Sequence, residues 1–561
     1  MSEISLPEGF RVIDVIERRI VELDECSFVA LSYVWGVDQR LSLLTALRST
    51  IEDMKKEGGL LASQLPRTIE DAITVCIQLG HRYLWADRLC IIQDDADDKS
   101  NQIEAMGAVY LSADLVLIAA YGDSMDYGIP GVSHPRNLVQ RSEVIHGLRI
   151  TNLVREVEDD PLSVWDTRGW TYQEAVLSRR RLYFTNTRVF FECEHSVFHE
   201  DQFNPETNRD ELISTRLTQP GDRSQFGSFV RHLKHYTSRK LTYRSDAYNA
   251  LFGIYKSLYD EESTLVYGIP QRDFDRALLW FSDSGERLVK PSESQGVLLP
   301  SWSWSSHAGL SDQVRYQETA FYGTFVCWYS LDEACPERMK SLNTCFEPSL
   351  DNNWDLHMSI ACSENCIENI SFSFSRAVDS FLDVRQRFNS RWGDCFAFIK
   401  EAWPSTLKIT ELQRNQNDRI AEPIRPGVIA ARCQTTSLRL VPRPRKSGLD
   451  IRNSKGEWVG EICGDEMALR EEVISDHDTN REHDFIALSL SGLDITHPLS
   501  KESEKEKNYH DRRFNALSRV LVVNVLMIAW EGAFAQRRAL GWIFLVDWAK
   551  LKRRWTYVPL Q

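Results

Sequence analysis

The first third of the chain alternates short apolar, β-branched runs with longer stretches of helical period. Residues 11–15, 19–22 and 28–33 read as short strands bounded by charged turns. Leu65-Pro-Arg-Thr-Ile-Glu-Asp then opens a helix, with Thr68 as its predicted N-cap and Asp71 in capping-box position. Ile69, Ala72, Ile73, Cys76, Ile77 and Leu79 keep helical spacing until Gly80. A strand follows at 83–86, a helix at about 99–112, and then the unbroken apolar run 115–120. Such a run fits a parallel strand covered on both faces, and the alternation of strand and helix predicts an α/β layer fold. Residues 170–177 read as a helix segment and 181–193 as a hairpin.

A second region begins near Gln225. Residues 226–236, 245–259 and 274–281 have helical character, and Pro300-Ser-Trp-Ser-Trp-Ser305 alternates ring and hydroxyl as a half-buried strand would. Beyond it the pattern is short strands and loops. A charged linker at 501–507 precedes a predicted final hairpin, 520–528 with 542–548. The expected organisation is N-terminal strands at 1–27, an α/β domain at 28–200, a helical accessory region at 225–310 ending in the Trp-rich strand, and a β-rich region at 311–561.

Composition narrows the class. A chain of 561 residues exceeds one ordinary core, and 42% hydrophobic with 26% charged residues is the balance of a soluble globular protein. The net charge of −15 and the lack of a Lys/Arg tract disfavour general nucleic-acid binding. Met1-Ser-Glu-Ile-Ser-Leu-Pro has no secretory pattern, so a cytoplasmic location is expected. The longest apolar run, 520–530, contains Asn524 and is too short for a membrane-spanning helix; it reads as a buried strand.

Metal and nucleotide signals are weak. Cys362 and Cys366 form a lone C-x-x-x-C, and Cys193, His195 and His199 lack a fourth ligand at motif spacing. Asp94, Asp95, Asp97 and Asp98 read as a helix N-terminal acidic patch, without the glycine turn and distal glutamate of an EF-hand. No Gly-Lys-Ser/Thr loop is present, and Cys90 sits in an apolar run that favours an inert thiol. No metal and no cofactor are expected.

Three apolar-aromatic blocks carry the chemistry: Phe28-Val-Ala-Leu-Ser-Tyr-Val-Trp-Gly36, Tyr83-Leu-Trp-Ala-Asp-Arg-Leu-Cys-Ile91 and Arg168-Gly-Trp-Thr-Tyr-Gln-Glu174. Glu174 stands among rings and a guanidinium, an environment suited to a positioned, partly desolvated acid. The competing reading is an ion pair with Arg168 or Arg179 that pins a helix. Trp35, Trp85 and Trp170 read either as core or as ligand platforms, and Asp87 either as a site residue or as a turn cap.

These blocks, with Leu65 to Ala72, Gly128-Ile-Pro-Gly-Val-Ser133, Leu177-Ser-Arg-Arg180 and Phe190 to Cys193, resemble the fungal heterokaryon incompatibility (HET) domain family. Tyr236-Thr-Ser-Arg239 and Pro300 to Ser305 resemble segments that often follow that domain in fungal proteins. The resemblance implies a role in the growth arrest and cell death that follow fusion of genetically different fungal cells. It also implies activation by assembly into a homo-oligomer, or by an incompatible-allele or upstream recognition partner.

More distantly, the order of parts is similar to that of Toll/interleukin-1 receptor (TIR) domains, which implies a flavodoxin-like parallel sheet. Ser32-Tyr33 ends the first strand, Asp87 follows the second, and Trp170-Thr-Tyr-Gln-Glu174 matches the Trp-to-Glu spacing of a TIR Trp-Cys-x-x-Glu helix, with Thr171 in place of the cysteine. Enzymatic TIR domains use that glutamate to cleave NAD+. The resemblance therefore implies Glu174 as catalytic residue and NAD+ as substrate. Ser32 and Tyr33 would floor the pocket, and Asp87 would lie beside them. Tyr33, Trp35 or Trp170 would stack on the pyridinium ring, and Arg88 or Arg168 would meet the pyrophosphate. The alternative is a non-enzymatic signalling and protein-interaction module in which Glu174 is structural.

Overall fold

The computed structural model describes residues 5–36, 43–136, 142–151, 163–194, 196–200, 217–218, 224–259, 264–282, 292–294, 296–307, 313–316, 319–332, 335–342, 426–443, 448–464, 467–476, 481–494, 519–548 and 550–561. Cys362, Cys366, His195 and the 501–507 linker lie outside them. The chain divides into two units: Met1–Glu261 with Gly309–Ser311, and Glu262–Ala308 with Asp312–Gln561.

The first unit is mixed α/β. Its strands are β1 (Arg11–Asp14), β2 (Arg19–Glu22), β3 (Val29–Ser32), β4 (Tyr83–Trp85), β5 (Leu115–Ala119), β6 (Ser142–Ile145), β7 (Leu148–Thr151), β8 (Arg180–Phe184), β9 (Val189–Cys193) and β10 (Val197–His199). Its helices are α1 (Ile51–Met54), α2 (Arg67–Gln78), α3 (Asp87–Cys90), α4 (Ala96–Glu104), α5 (Met106–Ser112), α6 (Gly169–Leu177), α7 (Gln225–Thr237) and α8 (Asn249–Leu258). One eight-stranded sheet runs β10-β9-β8-β5-β3-β4-β1-β2. At its centre β4, β3, β5 and β8 are parallel, and antiparallel strands extend both edges. The apolar runs at β3 and β5 sit in this parallel centre, where both faces of a strand are covered.

Two expectations change in detail. Thr68 is no N-cap; α2 starts directly after Pro66, whose fixed φ suits a helix start. Thr68 instead accepts from the Gly128 N–H at 3.1 Å, while Asp71 accepts from the Ile129 N–H and the Ser133 hydroxyl, each at 2.6 Å. Polar residues at the helix start thus tie down the 128–133 loop. The expected helix at 99–112 is two helices that meet at Ala105, and the first is capped by Asp95, which accepts from the Asp97 and Asp98 N–H groups.

Helices α5, α6 and α8 pack together through glycine. A Cβ on Gly107 would lie 2.8 Å from the Gly253 Cα and 3.1 Å from Leu177, so the two backbones touch where no side chain intervenes.

The second unit is antiparallel and β-rich. Its strands are β11 (Leu265–Val266), β12 (Ile269–Pro270), β13 (Trp280–Ser282), β14 (Ser292–Ser294), β15 (Val297–Leu299), β16 (Val314–Tyr316), β17 (Thr319–Thr324), β18 (Cys327–Asp332), β19 (Cys335–Ser341), β20 (Ile429–Pro442), β21 (Leu449–Arg452), β22 (Trp458–Ile462), β23 (Glu482–Asp494), β24 (Arg519–Glu531), β25 (Phe534–Phe544) and β26 (Arg554–Leu560). Short helices are α9 (Phe274–Ala277), α10 (Met467–Ser475) and α11 (Leu545–Trp548).

Its strand pairings close on themselves. Strand β20 bonds β21, and the series continues through β22, β25, β24 and β23 back to β20, forming a six-stranded barrel. Alternate residues such as Leu438, Ile451, Val459, Phe485, Val525 and Ile543 form one buried apolar cluster along these strands.

Two sequence expectations fail here, and a third holds except at its end. The 274–281 helix stops at Ala277, and Trp280–Ser282 is a strand paired with β16. Pro300 to Ser305 is a turn leading into a 3-10 helix at Trp304–His307. Trp302 and Trp304 are both buried, with indoles donating to the Gly427 and Gly268 carbonyls at 3.0 and 2.7 Å, so the alternation reflects two anchored rings and not a pleat. The final hairpin is β24 with β25, and the chain past Phe544 turns into α11.

Candidate functional site

Strand β3 has β4 on one side and β5 on the other, so the chain segments leaving its carboxyl end diverge. In open α/β sheets such a reversal opens a crevice at the strand ends. Ser32 is the last residue of β3, with Tyr33 and Trp35 directly after it. Asp87 starts α3 just past β4, and Glu174 comes from α6, which precedes β8. Gly36 ends the block with φ 67°, and a Cβ there would lie 2.5 Å from the Asp123 carbonyl. Only glycine fits both that backbone and that approach. The loop is held against the first block by the Met125 N–H, which donates to the Trp35 carbonyl at 3.1 Å.

Glu174 is buried, 7% exposed. The Ser32 hydroxyl donates to its Oε2. Ser32 in turn accepts from the indole N–H of Trp165 at 2.8 Å. Tyr110 on α5 donates to the Leu31 carbonyl at 3.2 Å and also interacts with Glu174. Burial pushes the Glu174 carboxyl up from 4.5 to about 7; Ser32, Arg168 and Tyr110 oppose that rise, and the Asp87 charge adds to it. Among the described residues Glu174 forms no ion pair, and the Arg168 charge acts on it only from beyond ion-pair distance.

A second carboxyl stands beside the first. Asp87 Oδ2 accepts from the Trp35 indole at 2.7 Å, and Oδ1 accepts from the Arg88 N–H at 2.7 Å. The residue keeps some solvent exposure, yet desolvation of its carboxyl raises it above the ordinary range against the pull of the Trp35 donor. The buried Tyr33 hydroxyl faces Asp87 and interacts with its carboxyl, and among the described residues it has no partner at full hydrogen-bond geometry. The cluster therefore grades from partly exposed Trp35, Asp87 and Arg168 to buried Ser32, Tyr33 and Glu174.

The remaining expected site residues have other engagements. Arg88 is 4% exposed, donates to the Leu44 and Leu43 carbonyls at 3.0 and 3.4 Å, and lies 5.5 Å from the centroid of the Trp35 ring. Trp170 donates to Asp246 Oδ2 at 3.1 Å. Arg168 occupies the N-cap of α6, where its carbonyl accepts from Thr171 and Arg239, while its charge acts on both carboxyls.

Sequence reasoning missed Trp165 and Tyr110. Tyr110 lay within a predicted helix face, but no pattern marks Trp165, whose partner is 133 residues away.

The weaker signals resolve into structural roles. Asp98 pairs with Arg11 at 2.7 Å, and Asp94 accepts from the Arg48 N–H at 2.8 Å, alongside the Asp95 cap. The Cys90 thiol is buried and pushed up to about 12. Among the described residues no group of three or more His, Cys, Asp or Glu is placed to hold a metal ion. Among them, too, no helix is long and apolar enough to cross a membrane.

This arrangement, two interacting carboxyls and a buried phenol beside one of them at the reversal point of a parallel sheet, lies wholly inside a stretch with known relatives. Residues 28–174 match the family model described as heterokaryon incompatibility protein (HET), a match that ends on Glu174 itself, so the chain carries a HET domain over those residues. It is similar to heterokaryon incompatibility protein 6, OR allele, of Neurospora crassa, with 28% identity over 151 residues. That alignment covers 25% of this chain and only 22% of the relative's length. No solved structure matches the chain significantly.

Proposed function

We propose that the HET domain is a TIR-like NAD+ glycohydrolase and that the chain acts in the cytoplasm as a fungal cell-death effector in nonself recognition, switched on by self-assembly or by a recognition partner. The observation that carries this reading is Glu174: a desolvated carboxyl with no ion-pair partner among the described residues, at the carboxyl end of the central parallel strands. The strand order supports the TIR comparison. Counted along the chain, the parallel strands β4, β3, β5 and β8 rank 2-1-3-4, the order of flavodoxin-like sheets.

In the proposed reaction the bond from the ribose C1′ to the nicotinamide nitrogen breaks, and its electron pair leaves with nicotinamide as a neutral heterocycle. The sugar develops oxocarbenium charge, which an ionised Glu174 stabilises electrostatically. Water then adds to C1′ and gives up a proton, leaving ADP-ribose. With a carboxyl at about 7, part of the Glu174 population is ionised at neutral pH. The Tyr33 hydroxyl, which faces Asp87, offers a donor to substrate, and the partly exposed Trp35 ring offers a face for the pyridinium cation.

A non-enzymatic recruitment module is the second reading. It is favoured by the internal engagement of Arg88 and Trp170, two of the groups assigned to substrate. Incubation of concentrated full-length protein with NAD+ separates the two. Nicotinamide release is expected from wild type and a fall of about 100-fold or more in Glu174→Gln, the scale of losing one electrostatic stabiliser. Equal release from both proteins, or none under conditions that promote self-association, would sink the enzymatic reading.

A further inference from the structure

The indole N–H of Trp165 can only donate, and it occupies a lone pair of the Ser32 hydroxyl at 2.8 Å. Ser32 has a single proton, and it points at Glu174 Oε2. Both intermediaries are sealed from water, Ser32 at 0% and Trp165 at 3% exposure. The relay also closes on the helix it serves. Thr171, in the first turn of α6, donates its hydroxyl to the Trp165 carbonyl at 2.6 Å, and the Trp165 ring meets Tyr183 of β8 edge-on with centroids 6.1 Å apart.

From this geometry we infer that Trp165 and Ser32 are positioning residues that fix Glu174 Oε2 as a permanent acceptor and leave Oε1 as the oxygen that carries the proton or faces the substrate. Without Trp165, the Ser32 hydroxyl would be free to turn its proton elsewhere. With it, donation to the carboxylate is enforced, which favours the ionised form. The other charged or titratable groups facing Glu174 are Asp87 on α3, Tyr110 on α5 and Arg168 at the N-cap of α6. Asp87 opposes ionisation, and Arg168 and Tyr110 favour it. The assignment of Oε1 to substrate rests on the glycohydrolase reading; the hydrogen-bond relay does not.

The test is a difference-infrared titration of the full-length chain, following the carboxyl band that Glu174→Gln removes. Ser32→Ala is expected to move its midpoint upward by about one pH unit, the scale of one lost hydrogen bond to a charged group. Trp165→Phe should move it in the same direction by less, because the hydroxyl remains but is no longer steered. If the midpoint stays in place in folded Ser32→Ala and Trp165→Phe, the relay is overturned; should Trp165→Phe fail to fold, Ser32→Ala alone decides. Nicotinamide release from NAD+ is measured on the same samples. A shifted band without release would overturn the NAD+ reading and leave the relay standing. Release whose acid limb follows the band supports both.

Discussion

The indole N–H of Trp35 donates to Asp87 Oδ2 at 2.7 Å, tying together the segments that leave adjacent parallel strands. Asp87 is already held above the ordinary carboxyl range by desolvation, and the Trp35 donor is the strongest influence opposing that rise. Trp35→Phe keeps the ring and deletes the donor. We expect a loss of about 1–2 kcal/mol in unfolding free energy, measured by urea denaturation, because a desolvated acceptor loses a partner. An unchanged midpoint would mean that water replaces the indole at no cost.

Glu174→Gln should stabilise the protein at alkaline pH. The folded state holds the Glu174 proton more tightly than the unfolded chain, with a pKa of about 7 against 4.5. Stability from this group is therefore present below 4.5, falls as pH rises to about 7, and remains lost above it. The gap corresponds to about 3 kcal/mol of ionisation cost at about pH 8. Glutamine keeps an acceptor for Ser32 without the charge. Thermal or urea melts at about pH 5 and about pH 8 should show the variant gaining only at the higher pH. A residue whose removal stabilises the fold is one retained for function, so a variant less stable than wild type at both pH values would favour the structural reading of Glu174.

The parts of this fold that were legible in the sequence are those decided locally. The apolar runs at β3 and β5, the turn-bounded strands at β1 and β2, and the hairpin of β8 with β9 follow from residues next to one another. The misreadings arise where a distant segment decides. Thr68 caps nothing because the Gly128 loop claims its hydroxyl, and Trp302 and Trp304 leave strand geometry to reach the Gly427 and Gly268 carbonyls. Barrel closure depends on 435–439 meeting 482–486, a pairing that no local period encodes. At the site, Glu174 was legible as a carboxyl among rings. Trp165 was not, since its role exists only once β3 is brought beneath α6.

Gly107→Ala tests the helix seat behind the site. The new methyl would lie 2.8 Å from the Gly253 Cα and 3.1 Å from a Leu177 methyl, and backbone on one side cannot yield as a flexible side chain can. Higher helix propensity of alanine gains at most about 1 kcal/mol. Forced separation of α5 from α8 costs about 1–3 kcal/mol, so net destabilisation is expected. The same change at Gly253, whose Cβ would approach Gly107 Cα at 2.9 Å, should act alike, and the double variant should fall short of the sum because one separation relieves both clashes. Melting temperatures of the three variants measure this; strict additivity would place the two methyls in independent spaces.

Arg181 and Glu192 face each other across β8 and β9 and form an ion pair at 2.9 Å, with side chains only 4% and 6% exposed. Arg181 also donates to the Ala175 carbonyl near the carboxyl end of α6, one residue beyond Glu174. A cation there complements the helix dipole as well as the carboxylate. Glu192→Met removes the carboxylate that neutralises the buried guanidinium and should cost about 3–5 kcal/mol, whereas Arg181→Met with Glu192→Met should recover most of that loss, since two apolar side chains remove both desolvation penalties. Recovery of stability need not restore the site. Without the Arg181 tether the end of α6 is free to shift, and the infrared band of Glu174 should broaden or move in the double variant although its melting temperature is near wild type. An unaltered band in a stable double variant would confine the pair to the hairpin and release α6 from its control.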